Sequence, residues 1–237
     1  MAGPVTIQTV LYVALTGLIP SVVWLIFWLR RDRTRPEPFG LLLICFLLGA
    51  VGVVLAIPLQ KFVQSIVTES QTQIILWATI EEVLKFLPVA LIALRSKYND
   101  EAIDPAMYMI VSALGFATLE NIAYALQPAQ ALHADAALLN GSLRFLGATL
   151  LHVVSSGFVG IVIGLAPRLG KFFFSLFGLA AAIFLHSTFN FFIMKNASAS
   201  FVQVYGYLWV AAIITLVTLE KLRRIPPYTS VPAPTTL

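Results

Sequence analysis

Charge is scarce in this chain. Asp, Glu, Lys and Arg make up only 11% of its 237 residues, where a soluble domain carries about 25%. That shortage excludes an ordinary water-soluble fold, and 59% hydrophobic residues with a mean hydropathy of +0.90 point to a polytopic membrane protein instead. Cysteine is nearly missing: Cys45 stands alone in an apolar run. No internal disulfide can form, no redox compartment follows, and the thiol reads as an inert buried group. HExxH, the common zinc motif on helices, is absent. The first apolar run has no basic stretch before it and continues into RRDRTR, so it reads as a retained anchor rather than a cleaved signal. No internal repeat stands out.

What is present is a series of seven apolar runs, at about 5–29, 39–60, 73–95, 103–126, 141–165, 172–194 and 200–219. Each is long enough to cross a bilayer, which takes about 20 residues. They predict an all-α transmembrane bundle over 1–224, with no soluble domain outside the spans. Residues 225–237, ending in PPYTSVPAPTTL, predict a disordered tail. Basic residues orient the bundle. Arg30, Arg31, Arg33, Arg35, Arg95, Lys97, Arg168, Lys171, Lys221, Arg223 and Arg224 fall on one side; Lys61 and Lys195 fall on the other. The expected topology has the N-terminus outside and the C-terminus cytoplasmic. The net charge of +4 is therefore topological, suited to anionic lipid and not to nucleic acid.

Against this apolar ground the stretch ATIEEVLKFLPVAL at 78–91 places Glu81, Glu82 and Lys85 at bilayer depth, where ionised groups are costly and usually functional. At 1.5 Å per residue, Glu81 lies roughly 12 Å below the outer end of its span and Glu120 roughly 9 Å. His152 comes out roughly 16 Å down and His186 roughly 12 Å. Four helices thus bring ionisable groups to one layer. Lys85 can meet Glu81 or Glu82 on one helix surface. Arg144, Ala148, His152 and Ser155/Ser156 form a polar, small-residue stripe on the fifth run. Gly178, Ala182, His186 and Asn190 form another on the sixth, and Ala117, Glu120, Asn121 and Tyr124 cluster on the fourth. Small residues beside polar ones let helices approach and enclose a cavity. Pro88 takes a donor from the third run, leaving the Leu84 carbonyl without its usual partner.

The chemistry of this set is hydrolytic. A carboxylate, Glu81 or Glu82, can take a proton from water while a histidine orients it. A second histidine and an asparagine amide can donate to an oxyanion. Such a site needs no metal, yet Glu81, His152 and His186 could also hold zinc, which takes three or four N/O ligands. A transporter or proton relay is the reading from another class, since intramembrane Glu, His and Lys serve there too; the lack of an inverted repeat counts against it. Arg144, near the outer interface, could support the site or snorkel. His133 reads as a solvated loop residue. Asn140 and Asn196 open N-x-S triplets that matter only in a glycosylating host.

EEVLK at 81–85, Asp104 with Tyr108, GFATLEN at 115–121, Arg144 with His152, and HSTFN at 186–190 resemble the motif series of the PrsW intramembrane proteases. That family is related to the CAAX prenyl proteases and bacteriocin-processing enzymes. The resemblance covers roughly 73–194. It implies a protease of the bacterial plasma membrane that cuts a membrane-anchored protein or peptide, such as an anti-sigma factor, near the outer side of the bilayer. By the same resemblance Glu81 is the water-activating base with His152 assisting. His186 and Asn190 form the oxyanion hole, and Glu82 and Lys85 give support; Glu120, Asn121 and Arg144 are further supporting candidates from their place in the spans. No cofactor is expected, with zinc as the alternative. Lys85 stands where the CAAX branch has an arginine one place later, and Ala148 replaces that branch's phenylalanine.

The basic asymmetry makes a direct prediction. With Cys45 replaced, a cysteine placed in 30–38 or 220–237 reacts with an impermeant thiol reagent only after lysis, whereas one in 127–140 reacts in intact cells.

Overall fold

A computed structural model describes residues 7–30, 36–125, 134–166, 170–195 and 201–227. Arg31, Arg33, Arg35, His133, Arg168, Asn196 and the tail from 228 lie outside the described residues, and of Asn140 and Arg144 only the backbone is described. Among the described residues the fold is all-helical, with seven α-helices and no strand. They are α1 (Ile7–Leu29), α2 (Phe39–Ile66), α3 (Ser70–Leu91), α4 (Asp104–Ala125), α5 (Ala134–Leu165), α6 (Lys171–Lys195) and α7 (Phe201–Leu222). One 3₁₀ turn, Ala93–Arg95, follows α3.

Five of these are long and apolar enough to cross a membrane: Phe39–Ile66, Asp104–Tyr124, Gly147–Leu165, Lys171–Ile193 and Tyr205–Leu222. The third helix has the length but carries Glu81, Glu82 and Lys85, and the apolar stretch described in the first is only Gly17–Trp28. Three helix ends differ from the hydropathy reading. The second helix runs to Ile66, past the polar pair Gln60–Lys61. The third ends at Leu91, and the fifth begins at Ala134 in what reads as loop. For α2 and α5 a drop in hydropathy marks where water or a polar site begins, and the backbone hydrogen bonds of the helix continue past it; α3 instead stops short of its apolar run, which ends in the 3₁₀ turn.

Two helices form the centre. Asp104–Tyr124 of α4 is 78% buried and Gly147–Leu165 of α5 is 83% buried, against 28% for the spans in α6 and α7. The central pair pack on each other, with α1, α2 and α3 against α4 and with α6 and α7 against α5. The outer faces of α2, α6 and α7 expose Leu47, Val54, Phe173, Phe184, Val210 and Ile214, among others, as lipid contact requires. Glycine permits the closest crossing. A Cβ on Gly49 would meet the Ser112 carbonyl oxygen at 2.0 Å, and one on Gly115 would meet that of Phe46 at 1.9 Å. Backbone therefore lies on backbone where α2 crosses α4.

Side chains hold the connections. The Glu69 carboxylate accepts from the backbone N–H groups of Gln71 and Thr72 and so caps α3. Asp104 Oδ2 accepts from the N–H groups of Asp100 and Glu101, at 2.8 and 2.6 Å, tying down the turn into α4. Tyr108 donates to Glu37 ahead of α2. Helix α3 continues through Pro88, and Ser112 Oγ donates to the Lys85 carbonyl at 2.9 Å close to that break.

Gly49→Ala and Gly115→Ala are each expected to lower stability by at least about 1–3 kcal/mol, the usual cost of overpacking. Gly40→Ala, where nothing lies within 4 Å of the added carbon, stays neutral. Thermal unfolding in detergent measures both.

Candidate active site

The site is built on one fully buried carboxylate, Glu82. Its Oε1 accepts from Lys85 Nζ at 2.6 Å, from His186 Nδ1 at 2.7 Å and from Ser155 Oγ at 3.0 Å. Its Oε2 accepts from Ser156 Oγ at 3.2 Å. Four donors from three helices occupy an acceptor with about four lone-pair positions. Helical spacing explains the convergence: Lys85 lies one turn along α3 from Glu82, and His152, Ser155 and Ser156 share one side of α5.

Lys85 is equally buried. Besides Glu82, its ammonium meets His152 Nδ1 at 2.9 Å and lies 5.4 Å from the centre of the Phe116 ring. An ammonium only donates, so Nδ1 of His152 is the acceptor and its proton sits on Nε2. That nitrogen lies 2.9 Å from Glu120 Oε2 and donates to it. His186 has the other tautomer, for its Nδ1 carries the hydrogen donated to Glu82. Its Nε2 lies 3.5 Å from Glu81 Oε2. The two imidazoles stand edge to face, centres 5.1 Å apart.

Glu81 differs from its neighbour. Gln60 Nε2 of α2 donates to its Oε1 at 2.8 Å, while its Oε2 is buried without a hydrogen-bond partner among the described residues. A cavity of about 450 Å³ opens here, lined by Gln60, Trp77, Glu81, Glu120, Tyr124, His152, His186 and Asn190, with apolar walls that include Val53, Phe116 and Phe189. The lining comes from the C-terminal halves of α2, α4 and α6, from the N-terminal half and centre of α3, and from the first part of the Gly147–Leu165 span of α5, which is one end of the bundle. Glu81, Glu120, His152, His186 and Asn190 are thus brought together. Asn121 is turned away, its Nδ2 donating to Thr149 Oγ1 of α5 at 3.2 Å. The Arg144 side chain lies outside the described residues. Gln60 escaped the sequence reading because it was placed at the outer end of its span; it lies six residues inside a longer helix.

A family model described as "PrsW family intramembrane metalloprotease" matches residues 37–218. The chain belongs to the PrsW family. It is 28% identical over 220 residues to "Protease PrsW" of Clostridioides difficile (strain 630), covering 87% of this chain and 90% of the relative. It is 28% identical over 159 residues to "Protease PrsW" of Geobacillus kaustophilus (strain HTA426), covering 66% of this chain and 65% of that one. No solved structure matches the chain. The family and the apolar helices make this an intramembrane protease and an integral membrane protein acting on protein in the membrane. Both relatives are bacterial, consistent with a bacterial plasma membrane.

The buried ion pair has a measurable consequence. Lys85→Met leaves Glu82 charged and uncompensated, and is expected to cost about 3–5 kcal/mol. Adding Glu82→Gln to Lys85→Met restores part of that loss, a coupling of about 0.5–3 kcal/mol readable from a double-mutant cycle of unfolding.

Proposed function

We propose that the chain hydrolyses a peptide bond of a membrane-anchored substrate by water activated at Glu81. The observation that carries this is the contrast between the two glutamates. Glu82 is fully buried, accepts four hydrogen bonds and does not line the cavity, whereas Glu81 lines it with Oε1 anchored by Gln60 and Oε2 left without a hydrogen-bond partner among the described residues. A base needs an accessible lone pair within reach of the water it deprotonates, and of the two only Glu81 has one. His186 Nε2, an acceptor beside Glu81 Oε2, orients the same water. Glu81 takes the proton as the water oxygen attacks the carbonyl, then passes it to the departing amine.

Asn190, one turn from His186, is the donor for the developing oxyanion, and the Nε2–H of His152 joins it when it turns from Glu120, which lines the same cavity. The motif resemblance divides the histidines the other way, with His152 on the water and His186 on the oxyanion. The hydrogen-bond directions imposed by Lys85 and Glu82 support the exchanged roles. On the expected orientation the cavity lies at the outer end of the bundle, so cleavage takes place near the outer leaflet.

The family description makes a metal the second reading, and one observation favours it: ligand atoms of Glu81, His152 and His186 lie within 4.8 Å of one another. Glu81 Oε2 and His186 Nε2 suit a cation, the histidine donating its other N–H to a carboxylate as metal-bound histidines do. The third position does not fit. For His152 to offer Nε2 its proton must move to Nδ1, which faces the Lys85 ammonium at 2.9 Å. Glu81 and His186 would thus face a cation without a third ligand from His152, and the proposed activation of water uses Glu81 itself.

Cleavage of a reporter anchored in liposomes tests the proposal. Glu81→Gln is expected to lose at least about 10²–10⁴-fold, as removal of a general base does. His152→Ala and Asn190→Ala lose about 10²–10³-fold each, as oxyanion donors do, with normal accumulation in the membrane. Wild-type activity in Glu81→Gln overturns the base assignment. One zinc per chain by elemental analysis, with activity lost on chelation and restored by Zn²⁺, overturns the metal-free mechanism.

A further inference from the structure

We infer that Gln60 is a positioning residue for the reaction, acting through Glu81. This rests on the proposal that Glu81 is the working carboxylate. Helix α2 is the most apolar of the five candidate spans, with a mean hydropathy of 2.9, and its other cavity-lining residues, Val53, Ala56 and Ile57, are aliphatic. Gln60 is the exception, and it makes two cross-links to α3. Its side-chain Nε2 donates to Glu81 Oε1 at 2.8 Å, and its carbonyl accepts from Trp77 Nε1 at 3.2 Å. Trp77 and Glu81 are one turn apart on α3, so both bonds grip the same face of that helix.

The consequence is directional. A glutamate side chain turns about three bonds, and its two oxygens are chemically equivalent when ionised. Anchoring Oε1 in the amide breaks that equivalence and aims Oε2 at the spot that His186 Nε2 also faces, 3.5 Å away. An ionised carboxylate only accepts, so the amide must present its NH₂ to Glu81. The Trp77 bond holds the Gln60 backbone in register with α3 while it does so. The amide never touches the reacting carbonyl. Its effect is confined to where Glu81 Oε2 sits in the transition state, and misplacement by about 1 Å can cost about 10²-fold. The same anchoring serves whether Oε2 takes up a proton or binds a metal ion.

The test uses full-length enzyme in liposomes with the anchored reporter. Gln60→Met keeps the length and bulk of the side chain and removes the donor. It is expected to lower kcat by about 10–100-fold with KM within about twofold of wild type and an unchanged thermal midpoint. Gln60→Asn, which keeps an amide donor on a shorter stem, is expected to retain clearly more kcat than Gln60→Met. Wild-type kcat in Gln60→Met while Glu81→Gln is inactive overturns the role of Gln60 and leaves the site reading intact. A loss carried by KM or by the thermal midpoint, or a Gln60→Asn no better than Gln60→Met, overturns it as well. Full activity in Glu81→Gln overturns the site reading itself.

Discussion

The ion pair between Glu82 and Lys85 is the interaction on which the rest of the site depends. Two charges taken out of water cost several kcal/mol each, and their attraction offsets this only when the remaining hydrogen-bonding positions are filled. Here they are: two serines and one histidine complete Glu82, and a second histidine and an aromatic face complete Lys85. The price of burying the pair is what makes the histidines definite. Each tautomer is set by whichever charge of the pair its Nδ1 faces, so the Nε2 of His186 keeps a lone pair beside Glu81 and the Nε2 of His152 carries a proton held by Glu120.

Such a centre requires helices that cannot drift. The close crossing of α2 and α4, backbone against backbone at Gly49 and Gly115, sets the wall that carries Gln60 against the wall that carries Glu120. The burial of α4 and α5 on most sides gives the polar layer a rigid support. Lipid is as apolar as the side chains facing it, so packing and hydrogen bonds, not the hydrophobic effect, hold these helices together. The polar layer is therefore both the chemistry and part of the fold's cohesion.

The anchored and unanchored glutamates show how adjacent residues of one type acquire different duties. Glu82 points into the junction of α3, α5 and α6 and is saturated there. Glu81, rotated by one residue, points toward α2 and the cavity. The Glu82–Lys85 pair therefore gives Glu81 a polar neighbour beside the apolar walls of the cavity.

Much of this was legible in the sequence. Long apolar runs can only be helices in lipid, because every backbone group must be paired within its own segment, and all seven runs contain a helix. The depth layer of Glu81, Glu120, His152 and His186 followed from counting residues, because helical rise is constant, and these residues do line one cavity. Rotation about the helix axes was not legible to the same accuracy. Asn121, one residue from Glu120, is turned onto Thr149, and the choice between Glu81 and Glu82 depends on which neighbour each one faces. Gln60 was hidden because its role comes from a helix end set by backbone hydrogen bonding and from a partner 21 residues away. The sequence by itself determined which groups are at bilayer depth, since an ionised side chain there is too costly to be incidental. Only the tertiary structure decided which glutamate and which histidine nitrogens are tied to neighbours, because that is settled by contacts between helices that no spacing along one chain encodes.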